Sequence, residues 1–183
     1  LWDACKDELP PPTKNEPCVL GADAGVSSDC FALVLTSRHP RRRQHVAERL
    51  TKVHEPRGGR ALNFALIEQD IRDLCKMYNV AEICYDPYQL HQMMTTLRND
   101  GVVMTRPFNQ GTDRLIADKQ LLDIIIQRTM THSGNATLRQ HIANADRKKD
   151  ADKLRIVKRV EGLKIDAAVA LSMSVARCLK LPL

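Results

Sequence analysis

The apolar residues change period partway along the chain, and that change restricts the fold more than any other feature. Before residue 60 they fall in short runs: Cys18 to Asp23, ending at Ala24-Gly25; Cys30 to Thr36; and His45 to Val53. Runs of this length between turn residues predict strands, and the short connections predict an antiparallel meander. Beyond that point Ile67, Ile71, Leu74, Cys75 and Tyr78 recur at helical spacing. Next come a strand over Val80 to Tyr85, a helix over about Tyr88 to Asn99, a strand over Val102 to Thr105 and a helix over roughly Asp113 to Arg128. Alternation of this kind implies parallel strands covered by helices. The last element, Ile165 to Leu179, is apolar on most sides, as a buried helix is. The expected fold class is α/β: a mixed sheet, three antiparallel strands and then parallel ones, flanked by helices.

A length of 183 residues suits one domain with a real core. The chain starts at Leu1 rather than Met, which reads as a piece of a longer polypeptide. Residues 6–17 hold four prolines and several charges, the composition of a linker, so the expected division is a linker over 1–17 and a folded domain over 18–183. No run of about 18 apolar residues occurs, so no membrane span is expected. The six cysteines form no Cys-x-x-Cys pair and most lie in apolar runs, which reads as reduced, buried thiols. The histidines lack metal-binding spacing, which argues against structural zinc.

Net charge is +6, a balance that points toward a polyanion. From Arg147 to Lys164, eight basic residues stand against three acids, leaving +5 in that one segment. Arg147, Lys148, Lys149, Lys153, Lys158, Arg159 and Lys164 are the candidate DNA-binding residues. A charge run is usually a solvated hairpin; this one leads straight into Asp166, and phosphate contacts next to an acidic site favour the functional reading. Arg41, Arg42 and Arg43, at a hairpin tip, have no such neighbour and read as solvated. His132 reads as structural.

Three acids stand at the ends of elements: Asp23 closes the first strand, Asp86 the strand after the first helix, and Asp166 opens the buried last helix. Each alone has a plain explanation as a turn or helix-end residue. If the first and fourth strands are neighbours, their carboxylates leave the sheet at one edge, where the last helix can present the third. Phosphodiester hydrolysis with two divalent ions requires such carboxylates on rigid elements.

These residues resemble a family. Leu-Gly-Ala-Asp-Ala-Gly-Val-Ser-Ser-Asp-Cys-Phe-Ala-Leu-Val (20–34), Ile-Cys-Tyr-Asp-Pro-Tyr-Gln (83–89) and Leu-Lys-Ile-Asp-Ala-Ala-Val-Ala-Leu (163–171) are similar, in order and spacing, to the three acidic motifs of the nuclease domain of tailed-bacteriophage terminase large subunits. Phe-Asn-Gln-Gly (108–111), His-Ser-Gly-Asn-Ala-Thr-Leu-Arg (132–139) with Asn144-Ala145, and Trp2-Asp3-Ala4-Cys5 also fit, the last resembling the link from the family's ATPase. The resemblance implies a ribonuclease H-like fold and a metal-dependent endonuclease that cuts double-stranded viral DNA with low sequence specificity during packaging, in the cytoplasm of the infected bacterial host. It places catalysis and metal binding on Asp23, Asp86 and Asp166, with Mg²⁺ or Mn²⁺, two ions, as cofactor. Asp29 matches an acidic position but receives no metal role. The terminase small subunit and the portal or procapsid are partners expected through the full-length protein. No Gly-x-x-x-x-Gly-Lys-Ser/Thr loop occurs, so the ATPase would belong to a missing N-terminal part. Segment 151–160 departs from the family pattern, and Lys164 stands where arginine is expected. Two alternatives remain open: another ribonuclease H-like nuclease of resolvase or transposase type, and a catalytically silent DNA-binding module of the packaging machinery.

Overall fold

The computed structural model describes residues 1–25, 30–56, 58–150 and 153–182. Asp29, and Asp152 among the three acids of the basic segment, lie outside the described residues. Strands β1 (Cys18–Ala24), β2 (Phe31–Arg38) and β3 (Val46–His54) form the expected meander, with Ala22 opposite Leu33 and Leu35 opposite Leu50. After helix α1 (Phe64–Met77), strand β4 (Val80–Tyr85) lies parallel to β1 on its other side, Ala22 beside Tyr85. Helix α2 (Pro87–Asn99) leads to β5 (Thr105–Pro107), parallel to β4. Helix α3 (Thr112–Ile126), strand β6 (Met130–Thr131), helix α4 (Ala136–Asn144), a hairpin of β7 (Ala145–Asp150) and β8 (Lys153–Lys158), and helix α5 (Asp166–Cys178) complete the chain. The main sheet runs β5-β4-β1-β2-β3-β6, and β7-β8 stands apart from it.

Several elements differ from their sequence reading. The strand expected at 102–105 sits later, because the chain is still closing α2 there: Gly101 takes a positive φ of 69° and the Val102 N–H donates to Leu97 O. The first turn of α2 is broken at Tyr88 and Gln89, the latter at φ 65°. Segment 145–158, which carries no long apolar pattern, is a β-hairpin. Strand β6 and helix α4 were not legible in the sequence.

The middle of the sheet is covered on both faces, so β1 and β2 are buried along almost their whole length and carry mainly apolar residues. Alternation then sorts them. Leu20, Ala22, Leu33, Leu35, Ile83 and Tyr85 pack with Ile67, Ile71, Leu90 and Met94 of α1 and α2. Val19, Ala32, Val34 and Cys84 pack with α5, α3 and α4 on the opposite face. Twelve of the thirteen residues of α5 are buried, and each large one, such as Leu171 or Met173, contributes about 1.5–3 kcal/mol of burial. Gly21 lets this helix lie directly on β1, since a Cβ there would stand 2.1 Å from the carbonyl oxygen of Ala170.

Candidate active site

Period-two alternation decides where the acids point. On β1 the residues before Asp23 on the same face are Val19 and Gly21, the face against α5. On β4 the corresponding series is Glu82, Cys84 and then Asp86. Parallel pairing of β1 with β4 brings the two strand ends together, and the Asp86 N–H donates to Ala22 O at 3.3 Å. Asp166 is the first residue of α5, which runs across that same face. The three sequence-predicted acids therefore converge at one end of the sheet.

Burial and charge agree with that convergence. Asp23 and Asp166 are both buried. Burial first, and then the negative charges of Asp166, Asp86 and Asp118, push the Asp23 carboxyl well above the ordinary carboxylate range, against the opposing pull of Arg114. Two of the acids spend an oxygen locally. Asp86 Oδ1 accepts from the Tyr88 N–H at 2.9 Å, capping α2. Asp166 Oδ2 accepts from the buried Cys30 thiol at 2.8 Å, and burial together with that carboxylate pushes the thiol's pKa up. Among the described residues, no three His, Cys, Asp or Glu side chains meet closely enough to hold an ion as they stand. The donor chemistry nevertheless suits a hard divalent cation: oxygen ligands on rigid elements, with like charges that a cation would relieve.

Residues that the sequence did not single out support the acids. His141 of α4 is buried, and its Nδ1 accepts from the Ala167 N–H at 3.0 Å, serving as the acceptor that the start of α5 otherwise lacks. Burial lowers the pKa of this histidine, in keeping with a neutral acceptor ring. Asp118 and Arg114 form a buried ion pair in α3 beside the site. His141 and Asp118 carry no local signal for these roles, because Ala167, Ser172 and Ile156 are distant in sequence; the Arg114–Asp118 pair itself is local, four residues apart on one helix.

The basic residues divide. Arg147, Lys148, Lys149, Lys153, Lys158 and Arg159 are exposed, and among the described residues none forms a salt bridge. Hairpin register sets Arg147, Lys149 and Lys158 on the face that carries Leu154 and Ile156, and Lys148 and Lys153 on the other. Lys164 is half-buried, with its Nζ 3.2 Å from Glu55 Oε1. An exposed pair of this kind is worth at most about 1 kcal/mol and yields readily to a phosphate. His132 is structural, as the sequence reading had it: its ring stacks on Trp2 at 4.0 Å and shares a hydrogen bond with the Trp2 carbonyl. The arginines at 41–43 are exposed; Arg42 lies 3.6 Å from Asp7 and reaches His39 Nε2 at 3.1 Å.

A central antiparallel meander extended by parallel strands, with carboxylates gathered where β1 and β4 end, defines a ribonuclease H-like α/β fold. Within that class, the chain belongs to the family described as terminase large subunit, endonuclease domain, whose model matches residues 35–181. Comparison with curated proteins finds no match. Among solved structures, the HK97 bacteriophage large terminase is similar with a TM-score of 0.79 and 18% identity over 96% of this chain; the chain spans 42% of that protein's length. The large terminase nuclease from thermophilic phage G20c with bound magnesium gives 0.70 and 12%, covering 91% of this chain and 84% of that one. The g2p (large terminase) nuclease domain from bacteriophage SPP1 with bound Mn gives 0.60 and 15%, covering 88% and 86%. No helix among the described residues is long and apolar enough to cross a membrane.

Proposed function

We propose that this nuclease domain cuts double-stranded phage DNA with little sequence preference during genome packaging, as part of a larger terminase whose ATPase precedes the 1–17 segment. Asp23, Asp86 and Asp166 hold Mg²⁺ or Mn²⁺, two ions in the working state. The observation that carries this reading is Asp23: a buried carboxyl whose ionisation is opposed by burial and by neighbouring carboxylates, at the end of the central strand. Such a placement costs stability unless a cation joins it. The magnesium and manganese in the G20c and SPP1 domains support the choice of ion.

When bound, the ions supply an activated water and neutralise the departing oxygen. The chain itself does the holding. Strand ends fix Asp23 and Asp86, and the α4–α5 contact through His141 fixes Asp166. Lys164, two residues before Asp166, is placed to exchange Glu55 for a DNA phosphate near the acids. The exposed lysines and arginines of β7–β8 contact the backbone, and backbone contacts carry no sequence information, which gives the low specificity. DNA reaches the site along this hairpin. The small subunit and the portal or procapsid act through the full-length protein, in the cytoplasm of the infected host.

Plasmid cleavage tests the reading. With Mg²⁺ or Mn²⁺ the domain nicks or linearises unrelated plasmids, and chelator stops it. Asp23→Ala, Asp86→Ala and Asp166→Ala each lower the rate by about 100-fold or more, the scale of losing a group that stabilises transition-state charge. Undiminished cleavage in chelator, or by the three variants, would reject the site. DNA binding without cleavage under any divalent ion would make the domain a silent packaging module.

A further inference from the structure

We propose that Gln110, Arg114 and Asp118 form a positioning relay that fixes the basic β7–β8 hairpin relative to the three acids, and that they thereby set how tightly DNA is held over the site. This deepens the nuclease reading above and rests on it.

Asp118 is fully buried in the middle of α3, yet its carboxylate is fully engaged. Oδ1 accepts from Arg114 Nε at 2.8 Å and from Ser172 Oγ of α5 at 2.5 Å; Oδ2 accepts from the backbone N–H of Ile156 in β8 at 2.8 Å. One side chain thus joins α3, the helix that presents Asp166, and the hairpin. Arg114, also buried, donates from Nη1 to Gln110 Oε1 at 3.1 Å. The main chain at Gln110 meets the hairpin a second time, its backbone carbonyl accepting from Arg155 Nη1 at 2.9 Å, while the side-chain amide holds Arg114. Gln110 Nε2 donates to Phe108 O, and the Phe108 N–H donates to Tyr85 O, the residue before Asp86. The connections run without a break from the end of β4, through α3 and α5, to β8.

A buried ion pair adds little net stability over apolar residues of the same shape, so stability does not explain it. Geometry does. Leu154 is buried and Ile156 packs against the core to which α3 contributes Leu121 and Ile125, but burial is non-directional, so it alone permits the ribbon to slide or tilt. Charge-assisted hydrogen bonds from one strand N–H and one guanidinium select a single placement. That placement fixes where the exposed lysines lie relative to Asp23 and Asp166.

The test uses Asp118→Asn, which keeps the shape and sets an amide N–H against donors, and Gln110→Ala, at a half-buried position. Four readings are taken in the 183-residue chain: KM for plasmid DNA, kcat, the Mn²⁺-induced rise in Tm, and hydrogen exchange at the amides of 154–158. The relay predicts that KM rises roughly tenfold for Asp118→Asn, the equivalent of one charge-assisted hydrogen bond, and about threefold for Gln110→Ala. It also predicts that kcat falls less than threefold, that the Mn²⁺ shift persists, and that exchange quickens in 154–158 while β1 and β4 keep theirs. Parent values of KM and of exchange in the hairpin would overturn it, as would a fall in kcat at unchanged KM. Should Asp118→Asn fail to fold, Gln110→Ala decides by the same readings. A parent that neither cuts DNA nor gains Tm with Mn²⁺ would reject the nuclease reading instead, and the exchange comparison would still decide whether the relay holds the hairpin.

Discussion

Asp23 shows how one residue's surroundings can favour function over stability. Its neighbours on β1 are apolar, and the nearest charges include three carboxylates, so the apo protein carries a cost at this position. Asp23→Asn removes a like charge from the cluster and keeps the shape. In chelator the variant is expected to melt no lower than the parent while losing cleavage. Mn²⁺ is expected to raise the parent's Tm more than the variant's, by mass action on the folded state. Thermal scans with and without metal check both; a variant that unfolds in chelator would make Asp23 a structural residue. Glu82 is the contrasting case. It is buried on β4, which by itself raises its pKa, but Arg177 and Arg106 outweigh burial and hold its carboxyl below the ordinary value of 4.5. A depressed folded pKa means that its stabilising contribution is present above about pH 4.5 and is lost as pH falls through the lowered value. Glu82→Gln is therefore expected to cost about 2 kcal/mol at neutral pH, with the difference from the parent shrinking below pH 4.5. Urea titrations across that range measure it.

At the level of elements, the hairpin is the part whose role depends most on tertiary context. As a two-stranded ribbon it would be marginal alone, and it is held through Leu154, Ile156 and the Asp118 contact. Replacing Lys158 and Arg159 with Ala is expected to weaken DNA binding similarly for unrelated sequences. The slope of log affinity against log salt should flatten by up to about 2 units, roughly 0.9 per phosphate contact. Two further pairs separate the faces of the ribbon, Arg147→Ala/Lys149→Ala on one and Lys148→Ala/Lys153→Ala on the other; whichever pair changes the slope marks the face that meets DNA. Unchanged slopes in both would make the hairpin a solvated element with DNA held elsewhere.

Over the whole molecule, the proline-rich start of the chain is packed down rather than trailing. Trp2 and Cys5 are buried, Arg139 grips the Asp3 carboxylate through Nε and Nη2 at 2.8 and 2.9 Å, and Arg49 Nη2 donates to Pro10 O at 2.6 Å. The segment is thus joined to the nuclease core by burial and by ion-paired and backbone contacts. Trp2 is the chain's one tryptophan, so its fluorescence reports this docking directly. If segment and core form a single cooperative unit, the fluorescence transition in urea coincides with loss of far-UV circular dichroism. An earlier fluorescence transition would show the segment peeling away first.

Much of this architecture was legible because its signals are local. Short apolar runs in β1 and β2, alternation in β3, period 3.6 in α1, and the all-round apolar surface of α5 each follow from which sides of a single element face the core. Together they dictated the element order, the meander, and three acids at element ends. The hairpin at 145–158 was not legible as strands, since charged residues occupy both faces and only Leu154 and Ile156 mark one of them. Strand β6, two residues long, exists only because β3 offers an edge. The partners of the acids were equally hidden: Cys30 on Asp166, His141 at the start of α5, and Ile156 on Asp118 join residues far apart in sequence. By itself, then, the sequence determined the elements, the faces they bury and the carboxylates they end on, because side-chain period is a property of one segment. Only the tertiary structure decided that Asp166 lies near enough to Asp23 to oppose its ionisation and that the hairpin is held where it is. Those contacts depend on α5 resting on Gly21 and on hydrogen bonds between distant segments, and neither leaves a trace in any local pattern.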